Sequence, residues 1–280
     1  MSQSQIIADY YNQTQNHYQK WWGLNDSLSL HYGIWEKDTR SFKQALHNTN
    51  RHLAKIGRLL EGQTVLDAGC GVGGAAFYLA QQYKAKVTAL SLSSKQLALA
   101  EKKSNELGLS GQVQFELMDF TQTDLGNNSF ERVWACESVC HTIDKADFLA
   151  EAYRLLKAKG RMVLADFFRT EASDTSPQPY LDKWAHSWGV PNFSQTKHFI
   201  QQMKENGFHS IEVHDFTNHI RKSAARMYYA SLLGALPSEL YNLFHPQVST
   251  FAKKHYTCGY YQYKALKADL WKYLIITAEK

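Results

Sequence analysis

The stretch Val65-Leu66-Asp67-Ala68-Gly69-Cys70-Gly71-Val72-Gly73-Gly74 constrains this chain more than any other. Residues 64–66 are an apolar run that reads as a short buried strand. The glycines read as a tight turn, and residues 75–83 as the helix that follows it. A strand feeding a glycine turn and a helix lets a ligand approach the backbone closely, because glycine has no Cβ and tolerates positive φ. In α/β sheets such a ligand sits beyond the carboxyl ends of the strands. Gly69, Gly71 and Gly74 satisfy G-x-G-x-x-G, the spacing of dinucleotide sites.

Asp67, two residues before the first glycine, argues against a dinucleotide. A carboxylate there would face a pyrophosphate that already carries negative charge. It suits a ligand bearing an ammonium and a sulfonium, which is S-adenosylmethionine. The plain alternative is a strand-turn-helix with no ligand. An acidic residue followed by these glycines resembles the first motif of class I methyltransferases.

At 280 residues and 44% hydrophobic, the chain is long enough for one large domain, or one with a substantial insertion. It has no run of about 18 apolar residues, so no integral membrane segment is expected. Residues 1–9 are polar and lack the apolar core of a secretory signal. The four cysteines form no CxxC pair. Cys136 and Cys140 have only His141 as a companion at useful spacing, so no metal site is expected, and reduced thiols point to the cytoplasm. The net charge of +5 comes from 31 basic residues scattered along the chain. Nucleic acid is not expected as a partner, since no basic stripe is visible. A small-molecule substrate is, and a homodimer stays open.

Residues 64–165 alternate strand and helix. Strands are expected at 64–66, 86–90, 113–117, 132–135 and 162–168, and helices at 75–83, 94–107 and 147–156. This alternation predicts a parallel sheet with helices on both faces. Two later strands, 211–216 and 273–278, bring the count to seven, with a helix at 195–206. Aromatic residues concentrate outside this core. Ile6, Ile7, Tyr10 and Tyr11 stand at helical spacing, followed by Tyr18, Trp21 and Trp22 and by Tyr32-Gly33-Ile34-Trp35. These read as a cap over the ligand end of the sheet. The segments 170–194 and 217–270, rich in Trp and Tyr, read as lids. The expected fold is α/β, a seven-stranded Rossmann-like sheet with a helical cap and helical lid insertions. Its division runs 1–55 cap, 56–169 cofactor core, 170–194 lid, 195–216 core, 217–270 lid and 271–280 last strand.

Several motifs resemble one branch of the methyltransferases. Gly71-Val72-Gly73-Gly74, Asp119-Phe120, Asn128-Ser129-Phe130 and Glu137-x-x-Cys140-His141 together resemble the sterol, squalene and tocopherol C-methyltransferases. Tyr32-Gly33-Ile34-Trp35 is similar to their Tyr-Gly-x-Trp entry, and Leu90-Ser91-Leu92-Ser93-Ser94-Lys95-Gln96 to a run in cyclopropane synthases. The resemblance implies a seventh strand inserted antiparallel and S-adenosylmethionine as cofactor. It assigns Tyr32, Asp67, Gly69, Gly71, Ser91, Gln96, Asp119, Phe120 and Ala135 to cofactor binding. Ser91 and Gln96 stand in for the acid that usually meets the ribose hydroxyls. Asp119 would accept from the adenine amino group while Phe120 stacks on the ring. Ser93 reads as a helix cap.

The end of the fourth strand carries the chemistry. An alkene that attacks a sulfonium methyl is left as a carbocation. Glu137 would stabilise that charge, with aromatics of the cap and lids around it. His141 or a lid tyrosine would take the proton afterwards, and Asp166 is a second candidate acid that reads equally as a strand-end cap. Each also has a bland reading, Glu137 as an ion partner and His141 as a hydrogen-bonded core residue. Small-molecule O-methyltransferases often have His-His where this chain has Cys140-His141, so the O-methyl reading is weaker. The sequence thus predicts carbon methylation of an isoprenoid-like alkene, with N- or O-methylation of a small aromatic or amine metabolite second. A nicotinamide oxidoreductase would need an acid in place of Ser91 and none at Asp67. A module that only binds the cofactor would have no need of Glu137 and His141.

Overall fold

The computed structural model describes residues 5, 7–9, 11–13, 28–245 and 253–280. Ile6, Tyr10, Tyr18, Trp21 and Trp22 of the expected cap, and residues 246–252 of the second lid, lie outside the described residues.

Seven strands form one sheet: β1 (Thr64–Ala68), β2 (Lys86–Ser91), β3 (Val113–Leu117), β4 (Phe130–Cys136), β5 (Leu156–Arg169), β6 (His209–Asp215) and β7 (Trp271–Glu279). Their order is β3-β2-β1-β4-β5-β7-β6. Strands β1 to β5 pair in parallel, and β7 runs antiparallel between β5 and β6. The chain therefore reverses its direction of strand addition at β1, whose neighbours are β2 and β4. That switch point opens a crevice beyond the carboxyl ends of the strands, where α/β sheets bind ligands.

Alternation along the strands feeds two cores. Val65, Val87, Ala89, Trp134, Tyr273 and Ile275 face one, while Leu66, Leu90, Val133, Leu164, Leu274 and Ile276 face the other. Burial on both faces is what a parallel sheet covered by helices requires. The helices are α1 (Phe42–Ile56), α2 (Gly74–Tyr83), α3 (Ser94–Leu107), α4 (Lys145–Leu155), α5 (Tyr180–Ser187), α6 (Thr196–Glu205), α7 (Thr217–Phe244) and α8 (Thr257–Lys267), with a single turn at Ala172–Thr175. Local signals set their ends. The Ser93 hydroxyl accepts from the Gln96 amide and caps α3, as expected, and Gly108 in the left-handed region closes it.

Strand β5 starts six residues earlier than the apolar run suggests. Leu156 pairs with Phe130 ahead of a register shift, and the ladder resumes at Arg132 and Arg161. The segment 170–194 packs inward. Trp184 and Trp188 stack 5.5 Å apart, and Trp184 meets Phe193 at 4.5 Å and Trp271 at 4.9 Å. Helices α7 and α8 pack on each other so closely that a Cβ on Gly259 would overlap the Met227 carbonyl. Their tyrosines meet across that seam, with Tyr228 4.8 Å from Tyr263.

Candidate active site

A cavity of about 210 Å³ opens at the carboxyl ends of β1, β2 and β4. Its floor is the glycine turn. Gly69 has φ +95°, and a Cβ there would overlap Ser138. A Cβ on Gly74 would overlap the Leu28 carbonyl, so the glycine lets residues 28–31 cross the start of α2 and roof the cavity.

The structure brings Asp67, Gly69, Gly71, Ser91, Gln96, Asp119, Phe120, Glu137 and His141 onto one wall, as the sequence suggests. Ser91 donates to the Gln96 carboxamide oxygen at 3.2 Å and accepts from the Ser93 amide at 3.1 Å, so the hydroxyl and the amide side chain act as one polar unit. Asp119 Oδ1 accepts from the Thr121 amide and hydroxyl at 2.9 and 2.7 Å, which fixes its carboxylate at the end of β3. Phe120 sits edge-on to Phe148 at 5.6 Å.

Tyr32 and Ala135 do not line the cavity. Tyr32 points away from it, with its hydroxyl donating to Gln262 at 2.9 Å and its ring packed against Phe167. Alternation along β4 turns Ala135 into the second core and Cys136 toward the cavity. The aromatics of 217–270 are displaced too. None of the described residues of that segment lines the cavity, because they are used in the α7–α8 seam. Its aromatic wall comes instead from Tyr11, Phe120 and Trp188.

Glu137 is one of two strained points among the described lining residues, with Leu28 the other. Glu137 has φ +55°, a conformation that costs a residue with a Cβ on the order of 1–3 kcal/mol. Its amide donates to the Ala165 carbonyl at 2.8 Å, which holds it there. Oε1 accepts twice, from the Tyr32 amide at 2.7 Å and the Tyr273 hydroxyl at 2.7 Å. Oε2 is buried and has no hydrogen-bond partner among the described residues. Burial raises its pKa well above the carboxylate range, against the two donors, which lower it.

Asp67 Oδ2 is buried and unpartnered in the same way, and burial raises that carboxyl to about 7. His141 is engaged instead. Its Nε2 lies 2.9 Å from the Tyr11 hydroxyl, its Nδ1 3.5 Å from the Gly189 carbonyl, and its ring edge-on to Trp188. Burial lowers its pKa to about 4. Asp166 is absent from the cavity wall. Both its oxygens accept backbone amides, Oδ2 from Cys140 and Oδ1 from Phe167, each at 2.9 Å. It therefore ties the turn Val139–His141 to β5, the strand-end role that was one of its two readings. Lys145 secures the same turn, donating to the Cys140 and Asn192 carbonyls at 3.1 Å each.

Three residues that sequence reasoning left out belong to this site. His31 and Cys136 line the cavity beside Glu137, and Tyr273 orients Glu137 from β7. Tyr273 stands 136 residues from its partner, so no local pattern announces it. His31 did leave a signal, as the single imidazole in the run from Leu28 to Trp35.

Residues 1–272 match the family model of the mycolic acid cyclopropane synthetases. The chain belongs to that family. It is similar to a sarcosine/dimethylglycine N-methyltransferase of Halorhodospira halochloris, with 29% identity over 80% of this chain and 79% of the relative. It is also similar to a sterol 24-C-methyltransferase of Pneumocystis carinii, with 34% identity over 55% of this chain and 40% of the relative. The fold matches that of a geranyl diphosphate C-methyltransferase of Streptomyces coelicolor A3(2), solved with S-adenosyl-L-homocysteine, at a TM-score of 0.78 and 18% identity over 100% of this chain and 98% of that one. The family, these relatives and the fold make this chain an S-adenosylmethionine-dependent methyltransferase. The cavity fits that cofactor. Asp67 offers a bare buried acceptor to a cationic ligand, and the Ser91–Gln96 pair offers polar atoms at the end of β2, where a nucleoside's hydroxyls fall.

Proposed function

We propose that this enzyme methylates a carbon atom of a small, largely apolar, alkene-bearing acceptor of the isoprenoid kind. The observation that carries this reading is Glu137, a carboxyl group that lines the cavity and whose buried Oε2 has no hydrogen-bond partner among the described residues. S-adenosylmethionine, when bound, supplies an electrophilic methyl and leaves as the neutral thioether. Asp67 would accept from its ammonium, Ser91 and Gln96 would hold its ribose end, Asp119 would accept from the adenine amino group, and Phe120 would lie beside the ring. Gly69 and Gly71 let it lie against the backbone.

The acceptor's π electrons form the new carbon–carbon bond as the carbon–sulfur bond breaks, which leaves a positive charge on the neighbouring carbon. The ionised Glu137 side chain, buried from bulk water, faces that charge where solvent screens the attraction less. Tyr11 and Trp188 add aromatic surface to the same cavity. The cation then loses a proton to Glu137 Oε2, and the alkene is restored. His141 is poorly placed for that proton, with Nε2 at the Tyr11 hydroxyl and a pKa near 4, so the base is Glu137 and His141 positions Tyr11. Residues 28–31 exclude water from above.

N-methylation of an amine is the second reading. Asp67, Asp119, Glu137 and Asp147 all line the cavity and favour a cationic acceptor. The test supplies the purified protein with methyl-labelled S-adenosylmethionine and, in parallel, a lipid extract and a polar metabolite pool. Carbon methylation puts label in the organic phase, and Glu137→Gln abolishes it. Label confined to the polar pool replaces it with the amine or hydroxyl reading.

A further inference from the structure

His31 lines the same cavity, and the reaction above leaves it unused. It is 6% exposed, and its Nδ1–H donates to the Tyr32 carbonyl at 2.9 Å. That bond fixes the tautomer and leaves Nε2 as a bare lone pair, able only to accept. The ring is neutral, since burial lowers its pKa to about 4. Nε2 is fully buried, with no hydrogen-bond partner among the described residues. A nitrogen of His31, the sulfur of Cys136 and a carboxylate oxygen of Glu137 lie within 4.8 Å of one another, so one small group can meet His31 while its neighbour meets Glu137. Tyr32 locks both partners, its carbonyl on His31 and its amide on Glu137. A buried acceptor left unmade is costly, and a ligand that donates to it recovers that cost on binding.

The charge on the wall narrows the donor. The described lining residues include four carboxyl side chains and no lysine or arginine. An anionic head group would find carboxyl side chains there and, among the described lining residues, no lysine or arginine to pair with. A neutral hydroxyl meets none of these penalties.

We propose that His31 is a specificity-determining residue: its Nε2 accepts the hydrogen bond of a hydroxyl on the acceptor, so that the enzyme takes an unsaturated alcohol in preference to the corresponding diphosphate or hydrocarbon. This rests on the carbon-methylation reading for the position of the alkene beside Glu137. Sites built to bond a substrate hydroxyl discriminate against analogues that lack it, because the buried partner is then left unpaired.

The test uses one isoprenoid skeleton in three forms: the free alcohol, its diphosphate and the hydrocarbon without oxygen. With labelled S-adenosylmethionine, the wild type is expected to favour the alcohol at least tenfold in kcat/KM over either of the others. His31→Leu lowers the alcohol-to-hydrocarbon ratio at least tenfold, and His31→Gln, whose carboxamide oxygen can also accept, restores part of it. Retained cofactor affinity shows that the variants are folded. An unchanged ratio in His31→Leu, or a wild type that prefers the diphosphate, overturns the proposal. Calorimetric binding of the same three compounds to enzyme saturated with S-adenosylhomocysteine separates the two claims. If nothing is methylated but the alcohol binds tightest through His31, the carbon-methylation reading falls and the role of His31 stands. Equal binding of alcohol and hydrocarbon overturns the role of His31.

Discussion

The ends of β4 and β5 each carry a buried carboxyl group, and the two are put to different uses. Asp166, at the end of β5, has an amide on each oxygen and lies off the cavity. Glu137, just past β4 and lining the cavity, has two donors on one oxygen and none among the described residues on the other. Burial raises the pKa of both, Asp166 to about 6 and Glu137 further. The difference lies in how the lone pairs are distributed. A carboxylate satisfied on both oxygens holds structure together, while one satisfied on a single side is held rigid with its other oxygen available to a ligand. Burial and a shifted pKa alone do not tell the two apart.

The largest expected effect tests this contrast directly. Glu137→Gln should lower kcat about 10²–10⁴-fold, the usual range for a positioned acid or base, with cofactor affinity within threefold of wild type. Asp166→Asn should instead cost about 1–3 kcal/mol of stability, read as a lower midpoint in urea, because amides at Cys140 and Phe167 lose a charged acceptor. A stability loss at Glu137 and a catalytic loss at Asp166 would reverse the assignment.

A second prediction concerns the cofactor. A carboxyl with a pKa near 7 must ionise to pair with a cation. S-adenosylmethionine should therefore bind about tenfold more tightly at pH 8 than at pH 6, in step with the ionised fraction of Asp67. Calorimetry at the two values checks this, and Asp67→Asn should weaken binding and flatten the dependence.

Tyr273→Phe sharpens the comparison, since it removes one of the two donors that favour ionised Glu137. The pKa of Glu137 should rise, so the acidic limb of the pH–rate profile should move to higher pH, with kcat down about tenfold by analogy with other lost positioning bonds.

The smallest effect is on stability in acid. His31 and His141 have folded pKa values near 4, below the ordinary 6.5, so the unfolded chain binds protons that the folded chain refuses. Their contribution is fully present above pH 6.5 and is lost as pH falls from 6.5 toward 4. Asp67 and Asp166, raised to about 7 and 6, act in the opposite sense, and their contribution is lost as pH rises through those values. Replacing His31 by Leu should make the thermal midpoint fall less between pH 7 and pH 5 than it does in the wild type.

Much of the fold was legible because its signals are local. The expected bounds of β3 and α3 coincide with the observed ones, and the other strands agree in place and order, since each is a short apolar run closed by turn residues. Asp67, Gly69, Gly71, Ser91, Gln96, Asp119 and Phe120 come to one cavity for the same reason, as they stand at or just past strand ends in sequence. Tyr32 and Ala135 lie off the cavity because a motif gives a position but not the direction of a side chain. The acceptor end was less legible. Its geometry depends on long-range pairs, Tyr32 with Glu137 across 105 residues and Tyr273 with Glu137 across 136. The division between Glu137 and His141 depends on the Tyr11–His141 bond, which no spacing reveals.

In the proposed reaction Glu137 Oε2 takes part in forming a carbon–methyl bond. The most direct measurement is a single turnover with ¹³C-methyl S-adenosylmethionine and an unsaturated alcohol acceptor, read by NMR for wild type and Glu137→Gln at saturating cofactor. A methyl resonance in the range of carbon-bound methyl groups is expected for the wild type and none for the variant, with cofactor still bound. A resonance typical of a methyl on oxygen or nitrogen, or a variant that turns over at the wild-type rate, would contradict that reaction.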